Sequence, residues 1–557
     1  MSNGSAERVW SQLPLDIAER IADCMDPNEV AIYFRPANKA TAQLRCPKYT
    51  IVHLSQPVPP HAFAAHWLAP GATRGLTLKQ RRQLLSLTAA SGVVANLEVA
   101  EQAAGCVLTY EVFQAAAAAG KLESCQWLRG QGCPMEECEG SGCGLLGAAA
   151  AGGHRHVCEW LLGLGLAWSS DGVAEAARGG HVGLMEWLQE RRHHMRLSQD
   201  VEVRQTAVVK GAAHGCDLAT LQRIWQDWGY PTDARRGAVL ASAAGSPTPD
   251  WSAKVEWLEA QGCRPAEWVT REAAGCPDAP ARLAWLRGRG YPLGRFAVEA
   301  AACAGGVAAL QYLLVEVGVR PEVDTFRIAA APERRRLAAL QALHAAGILT
   351  ADCARGVSVA AACGGHLRVV AWLLDTFGRD VTRLDSYLFS AAAACGSVEL
   401  LAWLRRRRCA WFYQVLGGPY TSAARSGCVA ALEWLAAQGC PMPVDGSPYV
   451  AACANGDLAA ARCLRRLGVP WGPAGVAVKE FVYASGPDYA GAPFLLLRWL
   501  LEEGCPVDLA ALGRELEVDE HALKPGARGA LSRLLLLQGE LGTEQLAEAG
   551  FVHGGGR

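Results

Sequence analysis

Apolar residues recur along most of this chain at helical spacing, in short runs that end at glycine. In residues 154–163, Val157, Trp160 and Leu161 share one face at the i, i+3, i+4 spacing of an amphipathic helix. The segment before it, residues 148–153, is a run of alanines followed by a glycine pair, which is typical of a helix that ends in a left-handed residue. The pattern predicts two short helices joined by a glycine turn.

The same helix pair recurs through the chain. Its common form is an alanine pair, two variable residues, a glycine, a small or polar residue, an apolar run and Trp-Leu. With three degenerate copies counted, the mean interval between these Trp-Leu sites is about 31 residues. One pair cannot bury its apolar stripe alone, so stacking predicts an all-α helical-repeat solenoid of about 13–15 degenerate repeats over residues 76–545. The predicted repeat core contains nine tryptophans: Trp127, Trp160, Trp187, Trp257, Trp285, Trp372, Trp403, Trp434 and Trp499.

One repeat contains side chains that could hold a metal ion. His154, His156, Cys158 and Glu159 fall within a single turn and its helix. A metal ligand keeps its residue type, but the place of His154 changes freely among the copies. We therefore expect a helix start here and no metal site. In other repeats this place is taken by Lys121, His181, His366, Ser397, Cys428 and Asp457.

From Gly132 onward the sequence resembles the ankyrin repeat. Glycine, a finger segment, the A-A-x-x-G-H turn and an outer helix follow in the order and at the 33-residue period of that family. The family's T-P-L-H opening is replaced by residues 144–147, and tryptophan takes a place usually held by leucine. A tetratricopeptide array is the alternative, but its W-x-x-L-G-x-x-Y signature is absent. The resemblance implies an array that binds proteins on its concave face.

The N-terminal segment has no repeat signature. Residues 13–44 begin with Leu-Pro, and an Asp-Pro pair separates two helical stretches, which resembles an F-box. A helical cap on the array is the alternative interpretation. The other predicted segments are a flexible N-terminus at 1–12, a Pro/Gly connector at 45–75 and a Gly-rich tail at 546–557. The F-box resemblance implies that six residues bind the adaptor of a cullin-type ubiquitin ligase: Leu13, Pro14, Ile17, Ile21, Pro27 and Val30.

Charge and hydropathy limit the partners and the compartment. The chain has 53 Lys and Arg against 54 Asp and Glu, so it lacks the basic excess of typical nucleic-acid binders. We expect no nucleic-acid partner. The most apolar run, residues 494–506, is too short to span a bilayer and contains Arg498, so we also expect no membrane span. Without a visible targeting segment, the expected compartment is the cytoplasm or the nucleus.

Other chemistry is sparse in the sequence. The 21 cysteines form no C-x-x-C pair, and Cys133, Cys138 and Cys143 are spaced too widely for a typical zinc site. Arg405–Arg408 end a predicted helix, where cations complement the helix dipole; contact with an anionic partner is the alternative.

The sequence therefore predicts a protein-interaction scaffold with no catalytic residue, no metal site and no cofactor. Nucleophile-elbow, P-loop and H-E-x-x-H motifs are absent. The finer hypothesis makes the chain the substrate-recognition subunit of a ubiquitin ligase. The alternatives are a plain scaffold with a helical cap and a metal-dependent lipid phosphodiesterase, which would need clustered Asp, Glu, Asn and His outside the repeats.

Overall fold

The computed structural model describes residues 14–37, 39, 41–44, 46–135, 144–165, 170–191, 201–228, 233–320, 336–410, 418–473, 496, 498–500 and 502–506. Within these residues all regular secondary structure is helical, and the helices stack in pairs, so the predicted all-α solenoid is confirmed. The second helices of successive pairs begin 27 to 36 residues apart.

The N-terminal segment contains short helices joined by tight turns. The second of them starts in a way that its sequence explains, because the Asp26 carboxylate accepts from Asn28 N at 2.8 Å and Pro27 takes the first helical position. A π-helical turn spans Val30–Phe34, and 3-10 turns span Arg35–Ala37 and Thr41–Gln43. The α-helices are α1 (Leu15–Asp23), α2 (Pro27–Glu29), α3 (Pro47–Thr50) and α4 (Pro60–Trp67).

The array follows as pairs of a first and a second helix. The helix α21 follows residues 321–335, which lie outside the described residues, and α24 (Arg379–Thr382) is a short helix between pairs. The helix α20 continues as a π-helical turn at Tyr312–Glu316. The pairs are α5 (Leu78–Ser91) and α6 (Val94–Ala104), α7 (Tyr110–Ala118) and α8 (Leu122–Gly130), α9 (Leu145–Ala151) and α10 (Arg155–Gly163), α11 (Ser170–Arg178) and α12 (Val182–Glu190), α13 (Val201–Gly215) and α14 (Leu218–Trp228), α15 (Asp233–Ala244) and α16 (Trp251–Ala260), α17 (Glu267–Ala274) and α18 (Ala279–Gly288), α19 (Arg295–Ala304) and α20 (Val307–Gln311), α21 (Arg336–Ala345) alone, α22 (Ala351–Cys363) and α23 (Leu367–Phe377), α25 (Ser386–Ala394) and α26 (Val398–Arg406), α27 (Gly418–Ser426) and α28 (Val429–Ala437), α29 (Ser447–Ala454) and α30 (Leu458–Arg466).

Small residues set the spacing between successive first helices. A side-chain carbon at Gly152 would lie 2.3 Å from the carbonyl oxygen of Ala118 in the preceding pair, so only glycine fits there. Gly153 follows with φ +77°, a left-handed conformation that glycine adopts without strain. Each first helix also buries an alanine completely near its C-terminal end: Ala89, Ala117, Ala150, Ala177, Ala213, Ala243, Ala273, Ala302, Ala362, Ala393, Ala424 and Ala452.

One repeat caps the first helix of the preceding pair with a buried lysine. Lys254 of α16 is fully buried and donates to Ala213 O at 2.9 Å, to Cys216 O at 2.8 Å and to Ser246 Oγ at 2.8 Å. Burial lowers the pKa of Lys254 to about 8, and nearby Asp250 opposes that shift. The cation sits at the C-terminal end of α13, where carbonyl oxygens lack partners within the helix.

Two hydrophobic cores are present in the described residues. The larger one is continuous from Val58 to Cys505. The smaller one is formed by Ala22, Val30, Phe34, Leu44 and Tyr49 of the N-terminal segment. Since the segment has a core of its own, it does not depend only on the array for its burial.

Candidate interaction surfaces

Some first helices, among them α17 and α25, expose side chains on one side, and we call the set of these exposed sides the first-helix face. Trp268 on α17 is 51% exposed and Tyr387 on α25 is 62% exposed. Their side chains change from pair to pair, which lets such a face distinguish one partner from another. Exposed charged residues on the same set of helices are Glu111, Arg178, Arg271, Arg295 and Arg355.

The histidines of the glycine turns connect neighbouring repeats. The His154 ring fills the space over Gly120, where any side chain would collide with it. His156 Nε2 lies 2.9 Å from Gly120 O. Burial lowers the pKa of His154, and the neighbouring His156 lowers it further. Both rings are thus held by the preceding repeat.

Cys158 and Glu159, the other two residues that could have bound a metal ion in this repeat, also contact other parts of the structure. Cys158 is fully buried in the core, and burial raises the pKa of its thiol to about 11. Glu159 Oε1 pairs with Arg155 Nε at 3.0 Å on the surface of α10. Across the described part of the chain, no three His, Cys, Asp or Glu side chains are placed to hold a metal ion.

Most of the tryptophans named from the sequence lie at the rim of the repeat core. Trp187 and Trp499 are each 7% exposed, and the other seven are half-buried against the core. Their partners come from the preceding repeat: the Trp257 ring lies 5.6 Å from Trp225, and the Trp372 ring lies 5.8 Å from His344. Aromatic edge contacts of this kind stabilise the stacking of one pair on the next.

The leucine that follows each tryptophan occupies the centre of the core. The repeat core predicted from the sequence contained the tryptophans and not these leucines. The signal was present, because Trp-Leu recurs as a dipeptide. All nine leucines are 0% exposed: Leu128, Leu161, Leu188, Leu258, Leu286, Leu373, Leu404, Leu435 and Leu500.

The array returns on itself, so that its first helix pair touches the last two described pairs. Residues 74–107 meet residues 427–459, and we call this contact the clasp. The sequence pattern does not predict it, because no repeat period relates the two segments. Three backbone hydrogen bonds cross the clasp: Ala430 N to Arg74 O at 2.9 Å, Ala459 N to Gly105 O at 3.1 Å and Val107 N to Gly456 O at 3.3 Å.

A buried ion pair lies at the centre of the clasp. Arg81 Nη2 donates to Asp457 Oδ2 at 2.5 Å, and the two side chains are 1% and 0% exposed. Arg81 also donates to Ala104 O at 2.6 Å and to Gly427 O at 2.9 Å. Asp457 Oδ1 accepts from Ala460 N at 3.0 Å as the N-cap of α30. Several hydrogen bonds therefore compensate each buried charge.

The turns under the clasp contain no histidine. Where several copies have histidine, the three pairs from α25 to α30 have Ser397, Cys428 and Asp457. Gly396 and Gly427 of these turns lie against the start of α5, with no room for a side chain at either glycine. The start of α5 therefore packs directly on these two glycines.

A cavity of about 360 Å³ opens beside the clasp. Residues from both ends of the array line it, among them Leu108, Pro134 and Arg462. Glu101 also lines it, and burial together with the charge of Glu98 raises the pKa of the Glu101 carboxyl. The lining is thus partly apolar and partly charged.

The six residues assigned to the adaptor surface lie in different environments. Leu13 is outside the described residues, and Pro14 is exposed at the start of α1. Ile17, Ile21 and Pro27 are half-buried, whereas Val30 is 0% exposed within the smaller core.

The segment that bears these residues is anchored to the connector. The Asn28 amide nitrogen donates to His53 O and to Pro57 O, both at 2.9 Å, and its oxygen accepts from His53 N at 2.7 Å. Asp23 accepts from Tyr49 Oη at 2.5 Å, which raises the pKa of Tyr49 to about 12. These contacts hold the N-terminal helices against the connector.

The stacked pairs place the chain in the class of helical-repeat proteins. Residues 113–162 match a family model described as "Ankyrin repeats (many copies)". No curated protein sequence matches the chain. Among solved structures, the maize pentatricopeptide repeat protein PPR10 is 13% identical and aligns over 97% of this chain and 88% of its own, with a TM-score of 0.29.

The exclusion of a nucleic-acid partner on the basis of net charge was wrong. A second PPR10 structure, in complex with an 18-nt psaJ RNA element, is 11% identical and aligns over 96% of this chain and 88% of its own, again with a TM-score of 0.29. A helical-repeat protein can therefore bind RNA, and net charge is a whole-chain sum that does not report on a local surface. A likeness at this TM-score carries no argument about what the present chain binds.

None of the helices in the described ranges is long and apolar enough to cross a membrane.

Proposed function

We propose that this chain is a non-enzymatic protein-interaction scaffold that binds its partner through the first-helix face. The observation that carries the proposal is that first helices such as α17 and α25 have two different sides. One side buries alanine against the neighbouring helices, and the other exposes Trp268 or Tyr387 to solvent. Exposed aromatic residues are frequent centres of protein-binding energy. Helical-repeat arrays use extended surfaces of this kind for recognition.

The clasp supports this function by fixing the curvature of the array. A face that is held in one shape before binding loses less conformational entropy when the partner docks. The buried pair Arg81–Asp457 joins the two ends of the array. The first-helix face between them is therefore organised in advance.

A pull-down from the native cell tests this surface. We compare the full chain with the double variant Trp268→Ala/Tyr387→Ala and with a control, Val444→Ala, whose side chain is 76% exposed outside the first helices. A specific partner should be captured by the wild type and the control and lost from the double variant. Identical captured proteins for all three chains would refute the proposed face.

We extend the proposal to the N-terminal segment as an adaptor-binding surface of a cullin-type ubiquitin ligase. Pro14 and Leu15 are exposed, and Ile17 and Ile21 present a half-exposed apolar stripe on α1. Leu13 and Pro27 belong to the same proposed surface, while Val30 supports α1 from the smaller core.

The adaptor proposal is tested by adding purified adaptor to the full chain. Ile17→Asp places a charge in a contact that must lose its water, so it should abolish adaptor binding. Glu19→Ala on the exposed side of the same helix should bind normally. If the wild-type chain never captures an adaptor, the ligase hypothesis falls and the scaffold proposal remains.

A further inference from the structure

The cavity beside the clasp, which we call the clasp cavity, lies where the end of α6 meets the start of α30. Ala459 N donates to Gly105 O at 3.1 Å, and this hydrogen bond joins the two helix ends. Glu101 precedes Gly105 by about one helical turn on α6, and Arg462 follows Ala459 by about one turn on α30. Both charged residues line the cavity, so its walls come from opposite ends of the array.

Apolar side chains form much of the remaining lining of the clasp cavity. Its volume of about 360 Å³ lies at the lower end of the range for small-molecule pockets. Burial raises the pKa of the Cys106 thiol to about 11, so this lining residue adds no charge near neutral pH. The cavity therefore suits a small ligand with an apolar body. The apolar lining residues are Val107, Leu108, Pro134, Leu458 and Leu496.

Glu101 places a negative charge on one wall of the clasp cavity. Its side chain is half-buried and forms no hydrogen bond or ion pair with any described residue. Burial raises the pKa of the Glu101 carboxyl, and the charge of Glu98 raises it further. Both effects disfavour the ionised carboxylate. A ligand cation beside Glu101 would reverse them, because an opposite charge favours the ionised form.

Arg462 places a positive charge on the other wall. It is exposed and forms no ion pair with a described carboxylate. The two other arginines near the end of α30 do form such pairs. Arg465 pairs with Glu503 at 3.3 Å, and Arg466 pairs with Glu433 at 2.5 Å. The guanidinium of Arg462 is thus available to hold a ligand carboxylate through two parallel hydrogen bonds.

The two charges of the cavity restrict the ligand. A ligand with only negative charge is repelled by Glu101, and one with only positive charge is repelled by Arg462. The ligand therefore needs an ammonium and a carboxylate, and these must lie apart because Glu101 and Arg462 belong to different helices. In a free amino acid both groups are bonded to one carbon, whereas an extended dipeptide spans up to about 7 Å.

We propose that the clasp cavity binds a small zwitterion with an apolar body, of the size of an apolar dipeptide with free ends. Glu101 binds its ammonium group, Arg462 binds its carboxylate, and the apolar lining covers its side chains. The site is separate from the first-helix face. Because the ligand contacts both ends of the array, it stabilises the clasp.

Isothermal titration of the full chain with dileucine tests the proposal. Glu101→Gln and Arg462→Gln should each weaken dileucine binding about tenfold, because each variant removes one charge pair. The controls Glu123→Gln and Arg368→Gln remove exposed charges of α8 and α23, outside the cavity lining. They should change the affinity by less than about twofold.

Two derivatives of dileucine show which residue binds which group. Dileucine amide lacks the carboxylate, and N-acetyl-dileucine lacks the ammonium. Arg462→Gln should not affect the binding of the amide, and Glu101→Gln should not affect that of the acetylated form, because the ligand already lacks the contact. Derivatives that bind the wild type as tightly as dileucine would overturn the proposal, as would free leucine that binds more tightly than dileucine.

Stability separates loss of the site from loss of the fold. Glu101→Gln removes a half-buried charge, so the melting temperature of the free chain should rise or hold while dileucine binding is lost. Dileucine should raise the melting temperature of the wild type, as any ligand of the folded state does. A wild-type chain that does not bind dileucine contradicts the proposal, and so does equal weakening of binding in the control variants.

Discussion

Arg81 and Asp457 are 376 residues apart in the chain, yet they form an ion pair with both side chains almost completely buried. Removing one partner leaves the other charge buried without compensation. We therefore expect Asp457→Ala to lower the free energy of unfolding by about 3–5 kcal/mol, measured by urea denaturation.

Two comparisons make the clasp prediction specific. Arg81→Met/Asp457→Leu removes both charges and should destabilise less than Asp457→Ala. Glu433→Gln breaks the contacts of that carboxylate with Arg74 and Arg466, whose side chains are largely exposed, and should cost less than about 1 kcal/mol. A clasp with no role in stability would leave all three variants alike.

The Trp-Leu dipeptides allow a test of which residue forms the repeat core. Leu373 is fully buried, so Leu373→Ala should cost about 2–5 kcal/mol. Trp372 is half-buried, and Trp372→Ala should cost about 1–3 kcal/mol because part of the ring already contacts water. Thermal and urea unfolding of both variants measure the order; a larger loss for Trp372→Ala would place the tryptophan at the centre.

Buried thiols predict a loss of stability in alkaline solution. Burial raises the pKa of Cys125 from 9.0 to about 12, so the folded chain keeps a proton that the unfolded chain releases. This contribution is complete below pH 9 and is lost as the pH rises toward 12. Between pH 9 and pH 10 it falls by about 1 kcal/mol for such a thiol.

Urea denaturation across this pH range measures the effect. Cys125→Ala should reduce the dependence of the unfolding free energy on pH. Cys24→Ala, at an exposed cysteine, should leave that dependence unchanged. Equal slopes for the wild type and Cys125→Ala would show that the thiol does not titrate as its burial implies.

Lys254 gives a prediction for the cap that it forms at the C-terminal end of α13. Lys254→Met removes the ammonium group that donates to Ala213 O, Cys216 O and Ser246 Oγ. These three acceptor oxygens would stay buried without that donor. Unsatisfied buried acceptors should lower the unfolding free energy by about 2–4 kcal/mol. Lys79→Met, at an exposed position, should change it by less than about 0.5 kcal/mol; a similar small change at Lys254 would contradict the capping role.

The sequence predicted the parts of the fold that depend on local pattern. The helix pairs and their glycine turns follow from period and composition, as around Gly153 and Trp160, and the structure confirms the solenoid. The closure at Arg81 and Asp457 could not be predicted in this way, because it depends on the summed rotation of all the repeats between them. The hydrophobic pattern also could not distinguish residues at the centre of the core from residues at its rim, because Trp372 and Leu373 are adjacent apolar residues on one helix.

The candidate sites show the same limit. Exposure of Trp268 and Tyr387 depends on which side of a first helix its neighbours cover, and a sequence period does not give that side. Arg405–Arg408 were visible in the sequence as a run, but the left-handed backbone of Arg408 was not. Arg408 acquires meaning only when the backbone shows it in a position that other repeats give to glycine.

The clasp also fixes how many repeats this array can contain. An open solenoid tolerates the gain or loss of a unit, since each repeat contacts only its neighbours. Here, deleting one internal pair would move Asp457 away from Arg81 by about 8–10 Å, the distance between packed helices. The contact between its two ends therefore fixes the number of repeats in this array. Duplication of a single repeat would separate Arg81 from Asp457 unless both ends of the array changed as well.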